Sequence, residues 1–302
     1  MTPFAPVAGF LALQLRSRLL HQRRPLLAGY KLTTRCNLAC VHCPFWQRRS
    51  PELGFDGALA VLRRLHDSGA RLLILEGGEP LLWRDGSLDL DDLVRAARRL
   101  FWTVGVVTNG TLPLPQSADV VWVSVDGFED MTRQIRGDVF ATQMRNLEAG
   151  GGRRLYANIT VNAWNVDEIP ALVQHLTGRV RGITLQFHYP YNGEDELSLP
   201  WDRRARLLDA LISLKRRGYP LLDSVACLRA LKAPGWRCHS WLVTSAEPDG
   251  AITQGCYLMG RGPIACDRCG FAAHLEMSLA YDFHPGAMAA GMRVFGLLPG
   301  LG

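Results

Sequence analysis

The stretch Gly29-Tyr30-Lys31-Leu32-Thr33-Thr34-Arg35-Cys36-Asn37-Leu38-Ala39-Cys40-Val41-His42-Cys43 decides how the rest of the chain is read. Residues 29–33 form a short β-like run that ends near Thr34. Three cysteines then fall within eight residues, as Cys36-x3-Cys40-x2-Cys43. At the C-terminal end of a strand they occupy the edge where α/β folds build their sites. Clustered thiols converge on one point, as a metal or iron–sulfur site requires. Three thiolates hold three irons of a [4Fe–4S] cluster. The fourth iron stays open to substrate or cofactor, which marks a catalytic centre rather than a closed structural one. The bland alternative is a zinc knuckle completed by His42.

Outward from this stretch, strand-like and helical patterns alternate. Strands are expected at 29–33, 72–76, 104–108, 120–124, 156–161 and 182–187. Helices are expected at 56–67, 90–100, 140–149, 166–176 and 201–217, with none placed between the third and fourth strands. The strands are mostly continuous apolar runs, as buried parallel strands are. The pattern predicts an α/β fold, a partial (β/α)6 barrel, with a small C-terminal cysteine-rich region. The division expected is an amphipathic N-terminal segment (1–26), the barrel (27–225), the cysteine-rich region (226–283) and an apolar tail (284–302).

The 302 residues suffice for a substantial core, and 48% are apolar, which excludes a disordered chain or a disulfide miniprotein. No apolar run approaches the roughly 20 residues of a membrane span. The net charge of +6 rests on 31 Arg and 3 Lys. An excess of this size, without an aromatic-interleaved basic stripe, gives no expectation of a nucleic-acid partner. The eight cysteines follow no basic leader segment, so their clustering indicates a reducing cytoplasm rather than disulfides.

Four of them form a second group, Cys238-x17-Cys256-x9-Cys266-x2-Cys269. Between the first two, Glu247-Pro248-Asp249-Gly250-Ala251-Ile252 reads as a hairpin turn entering a strand. Four thiols close a second [4Fe–4S] cluster or bind structural zinc. The iron–sulfur reading is favoured. Cys227 is left over and reads as a small buried residue.

The Cys36–Cys43 signature resembles that of the radical S-adenosylmethionine (radical SAM) superfamily. Glu76-Gly77-Gly78-Glu79-Pro80 follows the second strand and resembles the family's GGEP motif. The resemblance implies that Gly77, Gly78, Glu79 and Pro80 bind the amino group of SAM. Thr108-Asn109-Gly110 and Ser124-Val125-Asp126-Gly127 resemble weaker family elements, which makes Asn109, Ser124 and Asp126 candidates for the ribose or carboxylate of SAM. Arg136, or Arg133, is a candidate partner of that carboxylate, because a guanidinium matches its shape. Asn158, Thr160 and Asn162 share one face of the fifth strand. The aromatic residue that usually precedes the third cysteine is replaced by His42, with Phe45 and Trp46 just beyond. The second cysteine group resembles the SPASM and twitch auxiliary regions. Its Gly255-Cys256-Tyr257-Leu258 neighbourhood is partially similar to the hopene-adenosylating enzymes of hopanoid synthesis.

The resemblance implies an enzyme that reductively cleaves SAM to a 5′-deoxyadenosyl radical. The radical adds to an organic substrate or abstracts hydrogen from it. A lipid or isoprenoid is preferred, with a modified peptide or small molecule as alternatives. The electron donor implied is a flavodoxin or ferredoxin. Phe187, His188, Tyr189 and Tyr191 are candidates to line the substrate side. A non-enzymatic metal-binding module is the remote alternative. Leucines mixed with Arg16, Arg18, Arg23 and Arg24 suggest either packing on the barrel or peripheral contact with a membrane surface.

Overall fold

Alternation along each strand organises the fold. Residues facing one side pack on helices, and residues facing the other line a chamber. The structure is a computed structural model and describes residues 5–150, 154–193 and 195–297. Six strands run parallel: β1 (Leu27–Lys31), β2 (Leu72–Glu76), β3 (Thr103–Thr108), β4 (Val120–Ser124), β5 (Leu155–Val161) and β6 (Gly182–Phe187). Two further strands, β7 (Val243–Ala246) and β8 (Ile252–Gln254), extend the sheet beyond β1, in the order β8-β7-β1-β2-β3-β4-β5-β6. β7 lies parallel to β1, and β8 closes back on it antiparallel. The cysteine-rich region therefore continues the barrel sheet. Its expected hairpin is present, with Glu247 N–H donating to Ala251 O at 2.9 Å.

The helices are α1 (Ala5–Leu19), α2 (Phe55–Ser68), α3 (Leu90–Ala97), α4 (Glu129–Ile135), α5 (Phe140–Ala149), α6 (Ile169–Leu176), α7 (Trp201–Arg216), α8 (Val225–Ala230), α9 (Ala272–Tyr281) and α10 (Pro285–Phe295). The connection from β3 to β4 carries none, as expected. Helix α4 was not expected, since seven residues carry too short a pattern to recognise. Helix α6 begins three residues later than expected because Asn162 and Asn165 cap a tight turn ahead of it.

Outside the sheet, Leu73, Leu75, Val104 and Val106 meet α2 and α3, while Ala157, Ile159, Ile183 and Leu185 meet α6 and α7. Each fully buried leucine there contributes about 1.5–3 kcal/mol of transfer free energy. Inside, Leu27, Gly29 and Lys31 face the chamber from β1. Ile74 and Glu76 do so from β2, Trp122 and Ser124 from β4, and Val243 and Ser245 from β7. Each series runs from apolar or small to polar towards the C-terminal ends of the strands. Helix α10 caps the opposite end: Thr103 Oγ1 donates to Phe295 O at 2.8 Å, and Phe295 packs edge-on against Trp122.

Candidate active site

The Cys36–Cys43 loop lies across the C-terminal ends of β1 and β2, and backbone contacts hold it there. Gly78 N–H donates to Thr33 O at 2.7 Å, and Glu79 N–H donates to Arg35 O at 2.8 Å. A Cβ on Gly78 would stand 2.3 Å from Arg35 O, and one on Gly77 would stand 2.8 Å from Thr33 O. The glycine pair thus lets the β2 edge dock directly against the approach to Cys36. Both glycines also line the chamber. Val41 N–H donates to Ile135 O at 3.0 Å, so the end of α4 fixes the other side of the loop.

The three cysteines are free of disulfides and face the chamber. Burial pushes the Cys40 thiol up to about 11, and the Cys43 and Cys36 thiols push in the same direction. Cys36 is raised by burial, with Glu79 and Cys43 adding to it. N–H donors surround the sulfurs: Leu38 N–H at 3.4 Å and Asn109 Nδ2 at 3.9 Å from Cys36 Sγ, and Arg136 Nη1 at 3.8 Å from Cys40 Sγ. Such a loop, lined with donors, suits thiolates formed on cluster binding. His42 Nδ1 is buried without a hydrogen-bond partner and its ring lines the chamber, which leaves a polar atom for a ligand to satisfy. Burial lowers His42 to about 4, so its imidazole is neutral. The residues therefore fit the cluster and SAM.

The remaining expected residues separate into three groups. Asn109, Ser124 and Arg136 line the chamber together with the cysteines, as do Asn158, Thr160, Phe45, Trp46, Phe187, His188, Tyr189 and Tyr191. Glu79, Pro80 and Asp126 are buried but are not among the lining residues. Glu79 braces two strand ends, accepting from Thr108 Oγ1 at 2.8 Å, Asn109 N at 2.7 Å and Leu81 N at 3.2 Å. Burial pushes its carboxyl up, against these hydrogen bonds. Asp126 accepts from Arg136 Nε and from Thr160 N, both at 2.7 Å, and so aims the guanidinium at Cys40. Arg133 is half-exposed and pairs with Glu129 and Asp130 on the surface. Asn162 is buried in the turn before α6.

Sequence reasoning did not find the polar rim beside Cys43. The fully buried Lys31 donates to Tyr257 Oη at 3.0 Å, lies 3.3 Å from Glu76 Oε1 and sits over the Phe45 ring at 4.0 Å. Arg261 joins Glu76 at 3.5 Å and Glu247 at 2.5 Å. Burial pushes the Glu76 carboxyl up, but Lys31 and Arg261 outweigh it and hold it below its ordinary value. A lysine inside a strand pattern and a tyrosine beside Cys256 signal nothing until β7 brings them together.

The second cysteine group surrounds the ends of β8 and α9. Burial pushes Cys238 up to about 12, with Cys269, Cys256 and Cys266 all contributing, so the four thiols lie within electrostatic reach of one another. Gly270 docks on β6, where a Cβ would meet Phe187 Cβ at 2.4 Å, and Phe187 N–H donates to Gly270 O at 3.1 Å. Cys227 is buried behind Ala272, beside Asp223 and Glu276, and is not a lining residue.

With this loop-on-barrel geometry in view, the chain belongs to the Radical SAM superfamily, whose sequence pattern matches residues 30–185. The cofactors of this family are a [4Fe–4S] cluster and SAM. The chain is 28% identical over 222 residues to the Fe-coproporphyrin III synthase of Methanosarcina barkeri, covering 66% of this chain and 54% of that one. It is 30% identical over 220 residues to the pre-heme d1 synthase of Dinoroseobacter shibae, covering 64% and 52%. The chain thus spans about half the length of these curated relatives. The fold resembles Streptococcus suis SuiB bound to S-adenosylmethionine, with TM-score 0.63, 15% identity, and 88% of this chain and 67% of that one covered.

Proposed function

We propose that this enzyme directs SAM-derived radical chemistry at an apolar substrate of lipid or isoprenoid type. The observation carrying this reading is the chamber, a cavity of about 400 Å³. Beneath the cysteine loop its wall is Leu27, Ile74, Val107, Trp122, Leu222 and Val243, and its end is Phe295. Such a wall rewards an apolar chain by roughly 25 cal/mol per Å² buried. The lining cations are Lys31 and Arg136, and both have carboxylate partners, Glu76 and Asp126. A porphyrin is a second reading, favoured by the likeness to Fe-coproporphyrin III synthase. Several carboxylates on such a ring would need more cations than the chamber offers, since Arg136 is the partner proposed for SAM and Lys31 already faces Glu76. A peptide, the other alternative, gains less from an apolar interior.

Cys36, Cys40 and Cys43 would hold the cluster. When bound, cluster and SAM supply a 5′-deoxyadenosyl radical that adds to an alkene or abstracts hydrogen from an unactivated C–H bond. Arg136, aimed by Asp126, offers its guanidinium to the SAM carboxylate. Ser124, Asn158 and Thr160 offer polar groups along the same wall, and the apolar wall excludes water that would quench a radical. Cys238, Cys256, Cys266 and Cys269 are proposed to hold a second [4Fe–4S] cluster. The mutual influence of the four thiols supports one shared site.

The test follows the adenosyl group. Anaerobically reconstituted enzyme, reductant and adenine-labelled SAM are incubated with a lipid extract, and the label is located by mass spectrometry. Label in the organic phase is expected for addition to a lipid, and lipid-dependent 5′-deoxyadenosine for hydrogen abstraction. Release of 5′-deoxyadenosine that lipid does not alter would overturn the lipid reading.

A further inference from the structure

The described residues expose nine large apolar side chains: Val7, Leu11, Leu15, Leu19, Leu20, Val41, Met259, Ile264 and Phe283. Six of them, all but Val41, Met259 and Ile264, gather at one end of the molecule, on α1 and the turn after α9. These six are between 40% (Val7) and 67% (Leu19) exposed. Val7, Leu11, Leu15 and Leu19 recur every fourth residue, so they form one stripe along the helix. The helix is anchored on its other side. Gln14 Nε2 donates to Tyr281 O at 2.8 Å, Ser17 Oγ lies 3.0 Å from Tyr281 Oη, and Phe10 and Leu13 pack into the cluster that holds Phe295. The stripe is thus the outward face of a docked helix.

The charge at this end has one dominant sign. No acidic residue occurs before Glu52, while Arg16, Arg18, Arg23 and Arg24 are all exposed. Arg71 joins them: burial lowers its guanidinium, and Arg24 and Arg16 lower it further. The acids nearby are Asp67, which faces Arg71, and Asp282, 3.7 Å from Arg18. Arg18 also lies over the Tyr281 and Phe283 rings, at 4.6 and 5.1 Å.

We propose that α1, with Leu20, Phe283 and the surrounding arginines, is a docking surface for an anionic lipid bilayer. The stripe enters the interface between headgroups and acyl chains, and the arginines meet the headgroups. Each arginine near an anionic surface adds attraction, and the leucines add the apolar term. A second copy of this chain fits worse, because its matching surface brings an excess of arginine and few acids to meet this one. No helix of the described residues is long and apolar enough to cross a membrane, so the contact is a surface one. It stands apart from the substrate reading, since an enzyme docked on a bilayer need not act on lipid.

The test is flotation of the full chain with phosphatidylcholine vesicles, with or without about one-third phosphatidylglycerol. The expected result is binding to the anionic vesicles roughly tenfold or more tighter than to neutral ones, reduced by high salt. Two variants carry the surface: Leu11→Glu/Leu15→Glu and Arg16→Glu/Arg23→Glu/Arg24→Glu. Both are expected to abolish flotation while keeping the wild-type circular dichroism and SAM cleavage. Absence of flotation on anionic vesicles overturns the proposal. So does flotation that neither variant weakens, or a wild-type dimer that Leu11→Glu/Leu15→Glu converts to monomer.

Discussion

Arg136 draws its role from partners that no local pattern reveals. Its guanidinium is buried, charged and held by Asp126 at 2.7 Å, with Cys40 Sγ 3.8 Å away. Removing one partner of a buried pair strands the other charge, at a cost of about 3–5 kcal/mol. Asp126→Ala is therefore expected to lose that much stability in denaturant titration. The double variant Asp126→Leu/Arg136→Met should recover part of it while SAM binding stays lost. Equal losses in the single and double variants would show that the pair is not coupled. At this scale the sequence named Asp126 and Arg136 separately, each as a contact of SAM. Only packing shows the aspartate holding the arginine, because β4, β5 and α4 must converge to join them.

Among the elements, β7 and the Cys266–Cys269 turn have the largest consequence. β7 pairs with β1 through Val243–Ala246, while Gly270 hydrogen-bonds to the end of β6. The cysteine-rich region therefore touches both edges of the six-stranded core, and Tyr257, next to Cys256, lines the chamber. Cys266→Ala is expected to lower the bound iron while leaving SAM cleavage at the Cys36–Cys43 site measurable. Unchanged iron together with lost zinc would identify a zinc site instead. Six strands were legible from their apolar runs, and the hairpin was legible from Pro248-Asp249-Gly250. The pairing of β7 with β1 was not legible. Register between distant segments depends on a sheet edge that exists only once the barrel has formed.

For the whole molecule, the chamber joins groups from nearly every strand, and its acids make stability depend on pH. Burial, then Glu276, pushes Asp223 up to about 7, well above its ordinary 3.8. A carboxyl with a raised folded-state value favours the folded state below its unfolded value. That contribution is lost as pH rises from about 4 through about 7. The stability advantage of wild type over Asp223→Asn should thus shrink by on the order of 1 kcal/mol per pH unit across this window. Chemical denaturation at pH 5, 6, 7 and 8 reads it, and a constant difference would refute the assignment.

By itself, the sequence determined the alternating α/β architecture, the cysteine loop at the end of the first strand and the family chemistry. Each of these is encoded over short spans: continuous apolar runs and helical apolar patterns, three thiols within eight residues, and a Gly-Gly turn after the second strand. Tertiary structure alone decided that Gly77 and Gly78 dock the cysteine loop, and that Glu79 and Asp126 brace rather than line the chamber. It also decided that Lys31 and Glu76 meet Tyr257 and Arg261 across roughly two hundred residues of chain. The reason is physical. A side chain's type and spacing fix what it can do, but burial and partners fix what it does, and both are set by contacts between segments far apart in the chain.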